Sequence, residues 1–158
     1  MTITQQIAKH IREVHFGGNW TYSNLKDVLA DVSWKDATTH VYSCNTIATL
    51  VYHIHYFIHV TLPVLQGGVL DGNDKLSFNH PPITSQEEWE QFLQMVWNEA
   101  ESFAHHIEQL PDSILNEYLA DPKYGNYFRN LHGIIEHSHY HLGQIVIIKK
   151  VIQQTSPM

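Results

Sequence analysis

The stretch Asn130-Leu-His-Gly-Ile-Ile-Glu-His137-Ser-His-Tyr-His141-Leu-Gly-Gln-Ile145-Val-Ile-Ile148-Lys-Lys-Val-Ile152 decides the fold class of this chain. Leu131, Ile134, Ser138, His141, Ile145, Ile148 and Ile152 recur by alternating threes and fours. That spacing puts them on one face of a helix, so residues 126–153 are expected to be helical. The seam is apolar except in the middle, where it carries Ser138 and His141.

The rest of the chain reads the same way. Ile3, Ile7, Ile11 and Val14 predict a first helix over 2–16, ended by Gly17-Gly18-Asn19. A short helix is expected at 24–31, with Ser23 as its cap. Asn45 is expected to open a second long helix to residue 65, with the seam Thr46, Leu50, His53, Phe57, Val60 and Val64. Residues 66–83 read as a loop, long for a compact domain, and such loops often carry function. Ser85-Gln86-Glu87-Glu88 has the form of a capping box and opens a third long helix over 86–109. Its seam is Trp89, Leu93, Val96, Ala100, Phe103 and Ile107, and a short turn or helix is expected over 112–120. Four long helical segments without a strand pattern predict an all-α four-helix bundle. One or two short extra helices fall in its connections, and residues 1–158 form a single domain.

Composition narrows the function. Nine Lys+Arg against 16 Asp+Glu give a net charge of −7 with histidine neutral, which argues against a nucleic-acid surface. The one cysteine, Cys44, excludes an internal disulfide and a cysteine-based zinc site. The apolar run Ile47 to Leu65 is interrupted by His53, His55 and His59, so it reads as a core helix and not a membrane span. The start of the chain has no charged segment followed by an apolar run. A cytoplasmic protein is the expectation.

Thirteen histidines are the anomaly, and helical angle sorts them. His53 is mid-seam on the second long helix and His141 mid-seam on the last. His137 lies one turn before His141 on the same side, and two histidines at i and i+4 can close on one metal. His53 can supply a third imidazole from the facing helix. His55, His132 and His139 turn away from the seams and read as outward or partner-facing. His105 and His106 sit in the last turns of the third long helix, where a positive charge suits the dipole. His40 and His80 fall in loops, and the spacing leaves His10 and His15 open. A single histidine is usually a hydrogen-bonded or solvated side chain, but three at facing seam centres each need a partner that one metal supplies. A di-iron carboxylate site needs two Glu-x-x-His motifs. Only Glu136-His137-Ser138-His139 has the spacing, and His139 faces the wrong way.

These residues resemble a known family. Asn45-Thr-Ile-Ala-Thr-Leu-Val-Tyr-His53-Ile looks like the metal-binding helix of the DinB/YfiT-like superfamily. His137-Ser-His-Tyr-His141-Leu-Gly-Gln-Ile145 is similar to that family's His-x-x-x-His-x-Gly-Gln-Ile signature, and the segment Glu13 to Asp31 resembles its first loop and short helix. The resemblance implies a four-helix bundle holding one divalent metal through His53, His137 and His141, often as a homodimer. Some members are thiol-dependent S-transferases or isomerases using low-molecular-weight thiols. Others resemble metal-dependent hydrolases, and many have no known activity. Leu142 departs from the pattern, since Arg or Ala is common there in relatives.

Three neutral imidazoles leave a divalent ion an open position, as in catalytic sites. Such an ion can activate water or hold a thiol as thiolate. Zinc or nickel is expected, with iron or manganese next. Gln144, one turn beyond His141, can bond a ligand or a bound water, or merely another helix. The leading expectation is a metal-dependent enzyme acting on a small electrophile, with a thiol-dependent S-transferase as the activity the resemblance suggests. A metal-dependent hydrolase and a non-catalytic metal-binding or interaction protein are the alternatives.

Overall fold

The computed structural model describes residues 1–155. Among these residues there are six α-helices, and no strand beyond an isolated bridge between Tyr118 and Asn126. The helices are α1 (Ile3–Phe16), α2 (Leu25–Leu29), α3 (Trp34–Thr38), α4 (Ile47–Leu65), α5 (Gln86–Glu108) and α6 (Tyr127–Thr155). Short 3-10 turns fall at Asp74–Leu76, Asp112–Asn116 and Pro122–Tyr124.

Polar caps set where the helices begin. Thr2 and Gln5 form a reciprocal capping box on α1. The Asp112 carboxylate also accepts from the N–H groups of Ile3 (3.1 Å) and Thr4 (3.0 Å), satisfying two donors that the first turn leaves free. Asn24, not the expected Ser23, caps α2, because its side chain is the one that reaches the Asp27 N–H. Thr46 caps α4, so the helix starts two residues after Asn45. Ser85 caps α5, but Glu88 turns its carboxylate to the N–H and hydroxyl of Thr84 and leaves the box half made. Asn126 accepts from the Arg129 N–H at the start of α6. Gly17 ends α1 at φ 107°, where its N–H bonds the Glu13 carbonyl.

The long helices pack α1 on α5, α5 on α4, α4 on α6 and α6 on α1. The connection from α1 to α4 holds two short helices, α2 and α3, in place of the one expected at 24–31. The seams of α5 and α6 are buried as their spacing predicts, apart from a half-buried Leu93. On α1, Ile3 leaves the seam and is 49% exposed. α4 is the exception: Leu50, Val51, Ile54, His55, Tyr56 and Ile58 are all buried, so it has no single seam. It packs on α3, α5 and α6, and the Tyr56 hydroxyl anchors the following loop by donating to the Asn73 carbonyl (2.9 Å) and accepting from the Asn73 N–H (2.7 Å). α4 is also long and apolar enough to cross a membrane, but in this fold it is a core helix.

The core has two separate groups. One holds Leu50, Val51 and Ile54 of α4 with Leu142, Ile145 and Ile148 of α6, and with Trp89, whose indole N–H donates to the Val32 carbonyl (2.9 Å). The other holds Ile58 of α4 with Leu131, Ile134 and Ile135 of α6, and with Phe103 and Ile107 of α5. Along α6 the break between them falls at Glu136 to His141, and on α4 it follows Ile54, the neighbour of His53.

Candidate metal centre

In that break α4 and α6 bring three imidazoles together. The Nε2 atoms of His53 and His137 stand 2.9 Å apart, and one ring nitrogen from each of His53, His137 and His141 lies within 4.8 Å of the others. The ring centroids are 4.5–4.8 Å apart and the planes cross at 64°, 77° and 88°. The rings therefore point inward around a common centre and do not stack. His53 and His141 are buried and His137 is half-buried. The three residues expected from the sequence are the three that meet.

Hydrogen bonds fix two of the tautomers. The Ser77 hydroxyl donates its proton to the Asp74 carbonyl (2.7 Å), so towards His53 it can only accept. His53 Nδ1 therefore carries the hydrogen (3.0 Å to Ser77 Oγ), and its Nε2 presents a lone pair to the centre, where it accepts from His137 Nε2 (2.9 Å). The Gln144 amide oxygen accepts from His141 Nδ1 (2.7 Å), which frees Nε2 of His141 in the same way. Gln144 thus holds a site histidine from within α6, and among the described residues it makes no hydrogen bond to another helix.

Burial disfavours the charged ring at His53 and, more strongly, at His137, and the neighbouring imidazoles add repulsion. His137 falls to about 4. Both rings are neutral at pH 7, the state in which imidazole binds a metal. His137 Nδ1 is buried without a hydrogen-bond partner. The donor set fits a divalent ion: three convergent imidazole nitrogens, two of the rings oriented by a second hydrogen bond. The group can hold a metal ion, and imidazole alone does not select which.

The loop after α4 closes one side. Phe78 stacks on His53 with centroids 3.8 Å apart and planes at 11°, and Phe57 meets His53 and His137 edge-on. Sequence reasoning missed Ser77 and Phe78, because neither lies in a periodic segment and only the length of the loop pointed to them. On the other side His137 opens onto a cleft of about 490 Å³. Lys123, Arg129 and Asn130 line it, with Tyr124 and Glu136.

The remaining histidines divide differently from the expectation. His132 is exposed, as read, and stands 3.4 Å from Glu136. His139 is half-buried, and its pKa is lowered by desolvation with a smaller contribution from His10. His55 is a correction. It leaves the seam but is 2% exposed, because α5 packs over that side of α4. His15, left open by the sequence, is fully buried, and its Nδ1 donates to the Ile11 carbonyl (2.7 Å).

Compared with protein-family models, with curated proteins and with solved structures, the chain matches none.

Proposed function

We propose that this chain is a divalent-metal-dependent enzyme of the DinB-like superfamily, with the four long helices as its bundle and His53, His137 and His141 as its ligands. The chemistry we assign is transfer of a low-molecular-weight thiol to a small electrophile. The observation that carries the reading is the convergence of three imidazoles whose His53 and His141 tautomers leave Nε2 unprotonated. A divalent ion in that position supplies the positive charge that keeps a thiol ionised at neutral pH.

The chain's own residues do the rest. Ser77 and Gln144 hold two of the rings in place. Phe78 covers His53 from the loop side, and Phe57 forms an apolar wall between the rings and the cleft. Lys123, Arg129 and Asn130 line the open cleft beside His137 and suit an anionic substrate group. In the transfer the sulfur forms a bond to the electrophilic carbon, the leaving group departs with the electron pair, and the thiol proton passes to solvent. The reading also places the protein in the cytoplasm as a homodimer, for which exposed rings such as Trp20 (95% exposed) provide surface.

The test has two stages. Zinc content is measured after loading and dialysis for the wild type, His53→Ala and His137→Ala. Each variant is expected to hold one ion fewer, and unchanged content in both overturns the site. The zinc- and nickel-loaded protein is then assayed with several small thiols against chlorodinitrobenzene and bimane acceptors. Metal-dependent thiol consumption that His137→Ala abolishes is the expected result. A loaded protein with no turnover in this panel overturns the transferase reading. Hydrolysis of an ester and amide panel would then assign a hydrolase, and inactivity there a metal binder.

A further inference from the structure

On the other side of α4 stands a second group of metal-ligating side chains. His55 and His59 are one turn apart, and Glu99 reaches them from α5. The Glu99 Oε2 atom lies 2.9 Å from His59 Nδ1 and 3.1 Å from His55 Nε2. The three donor atoms all lie within 4.8 Å of one another. His59 is 61% exposed at its side chain and Glu99 26%, so the group has a dry floor and a wet mouth.

The ion pair with Glu99 does not satisfy the whole His55 ring. It is 2% exposed, its Nδ1 has no hydrogen-bond partner, and its Nε2 faces the Glu99 carboxylate at 3.1 Å. Its approach to Glu99 is close enough for an ion pair, yet it lacks hydrogen-bond alignment. A buried imidazole left in that state costs free energy, and a cation taking the lone pair of one nitrogen removes part of that cost. The spacing also suits an ion. Ligand bonds of about 2.0–2.2 Å put neighbouring donor atoms about 3.0–3.5 Å apart, close to the two separations from Glu99.

We propose that His55, His59 and Glu99 form a second divalent-metal site, distinct from the three-histidine centre. Two nitrogens and a carboxylate oxygen favour zinc and its first-row neighbours over magnesium or calcium. Three protein ligands leave a position for water, facing a groove of about 220 Å³ lined by Tyr52, Tyr56, Phe92 and Met95. The two sites do not form a dinuclear pair. His53 and His55 are two residues apart on one helix and point about 200° from each other, whereas paired ions share ligands at about 3.5–4 Å.

The site stands on its own geometry, and the experiment separates it from the first. Zinc per chain is measured after equilibrium dialysis against micromolar zinc at pH 7.5, for the wild type, His59→Ala, Glu99→Gln, His53→Ala and the His53→Ala/His59→Ala double variant. Circular dichroism checks folding, and His55 is left untouched because it is buried. The expected contents are two ions, one, one, one and none. If His59→Ala and Glu99→Gln hold as much zinc as the wild type, the second site is overturned and the first can still stand. If the wild type holds one ion that His59→Ala loses and His53→Ala keeps, the first site fails and this one stands.

Discussion

Ser77 gives its only proton to the Asp74 carbonyl, and that one bond decides which nitrogen of His53 can face a metal. Ser77→Ala should therefore leave the fold intact and weaken zinc binding at the three-histidine centre about 10- to 100-fold, the usual cost of losing a ligand-orienting partner. Competition against a chromophoric chelator measures it, and an unchanged affinity would contradict the role. Gln144→Ala should act through His141 in the same direction. His15 governs a different property. Burial lowers it to about 4, while in the unfolded chain it titrates near its ordinary value of about 6.5. The unfolded state then binds more protons as pH falls from about 6.5 to 4, so the native state loses stability over that window, by about 3 kcal/mol from this residue. Urea midpoints of the metal-free protein at pH 7.5 and 5 should show the fall, and His15→Leu should reduce it, leaving the part due to His53, His137 and His139. The clustered histidines His53, His137 and His141 could be picked out by helical angle, because His137 and His141 share one side of α6 and His53 faces them from α4. His55 was misread, because the angle gives a direction and says nothing of what packs there.

At the scale of elements, α5 and α6 were legible almost to the residue, since each has one apolar stripe and a recognisable start. α4 was legible in its bounds, 45–65 expected against Ile47–Leu65, but not in its buried face, because it packs against three helices and a loop, and burial on most sides erases the stripe that marks a seam. The segment between α4 and α5 carried only a length signal, yet it delivers Ser77 and Phe78 to His53. Tyr56 ties that segment down, so Tyr56→Phe should loosen it. Faster amide exchange at residues 73–78 with little change in α6 is the expected outcome in hydrogen-exchange mass spectrometry. The cap of α5 makes a simpler case. Ser85→Ala removes the acceptor for the Glu88 N–H and should cost about 1 kcal/mol by urea unfolding.

For the whole molecule, the arrangement that matters is an apolar core in two groups with a histidine layer between them. A layer of imidazoles adds little hydrophobic stabilisation, and its charged forms are disfavoured by burial at His15 and His137. An ion bound only by the native state stabilises it in proportion to RT ln(1 + [L]/Kd), about 2.7 kcal/mol at a hundredfold excess over Kd. Zinc should raise the melting temperature, and a chelator should reverse the rise. The count of thirteen histidines was a poor guide to this layer, because many of them lie on the surface. The positions 53, 137 and 141 were the guide, together with the helix spacing that makes them face one another. X-ray absorption at the zinc edge of the loaded His59→Ala variant, in which His55 and Glu99 no longer make a complete second site, tests that claim most directly. The account predicts one bound zinc with three imidazole nitrogens at about 2.0–2.1 Å. A protein that retains no zinc, or a zinc shell with fewer than three imidazoles, would contradict it.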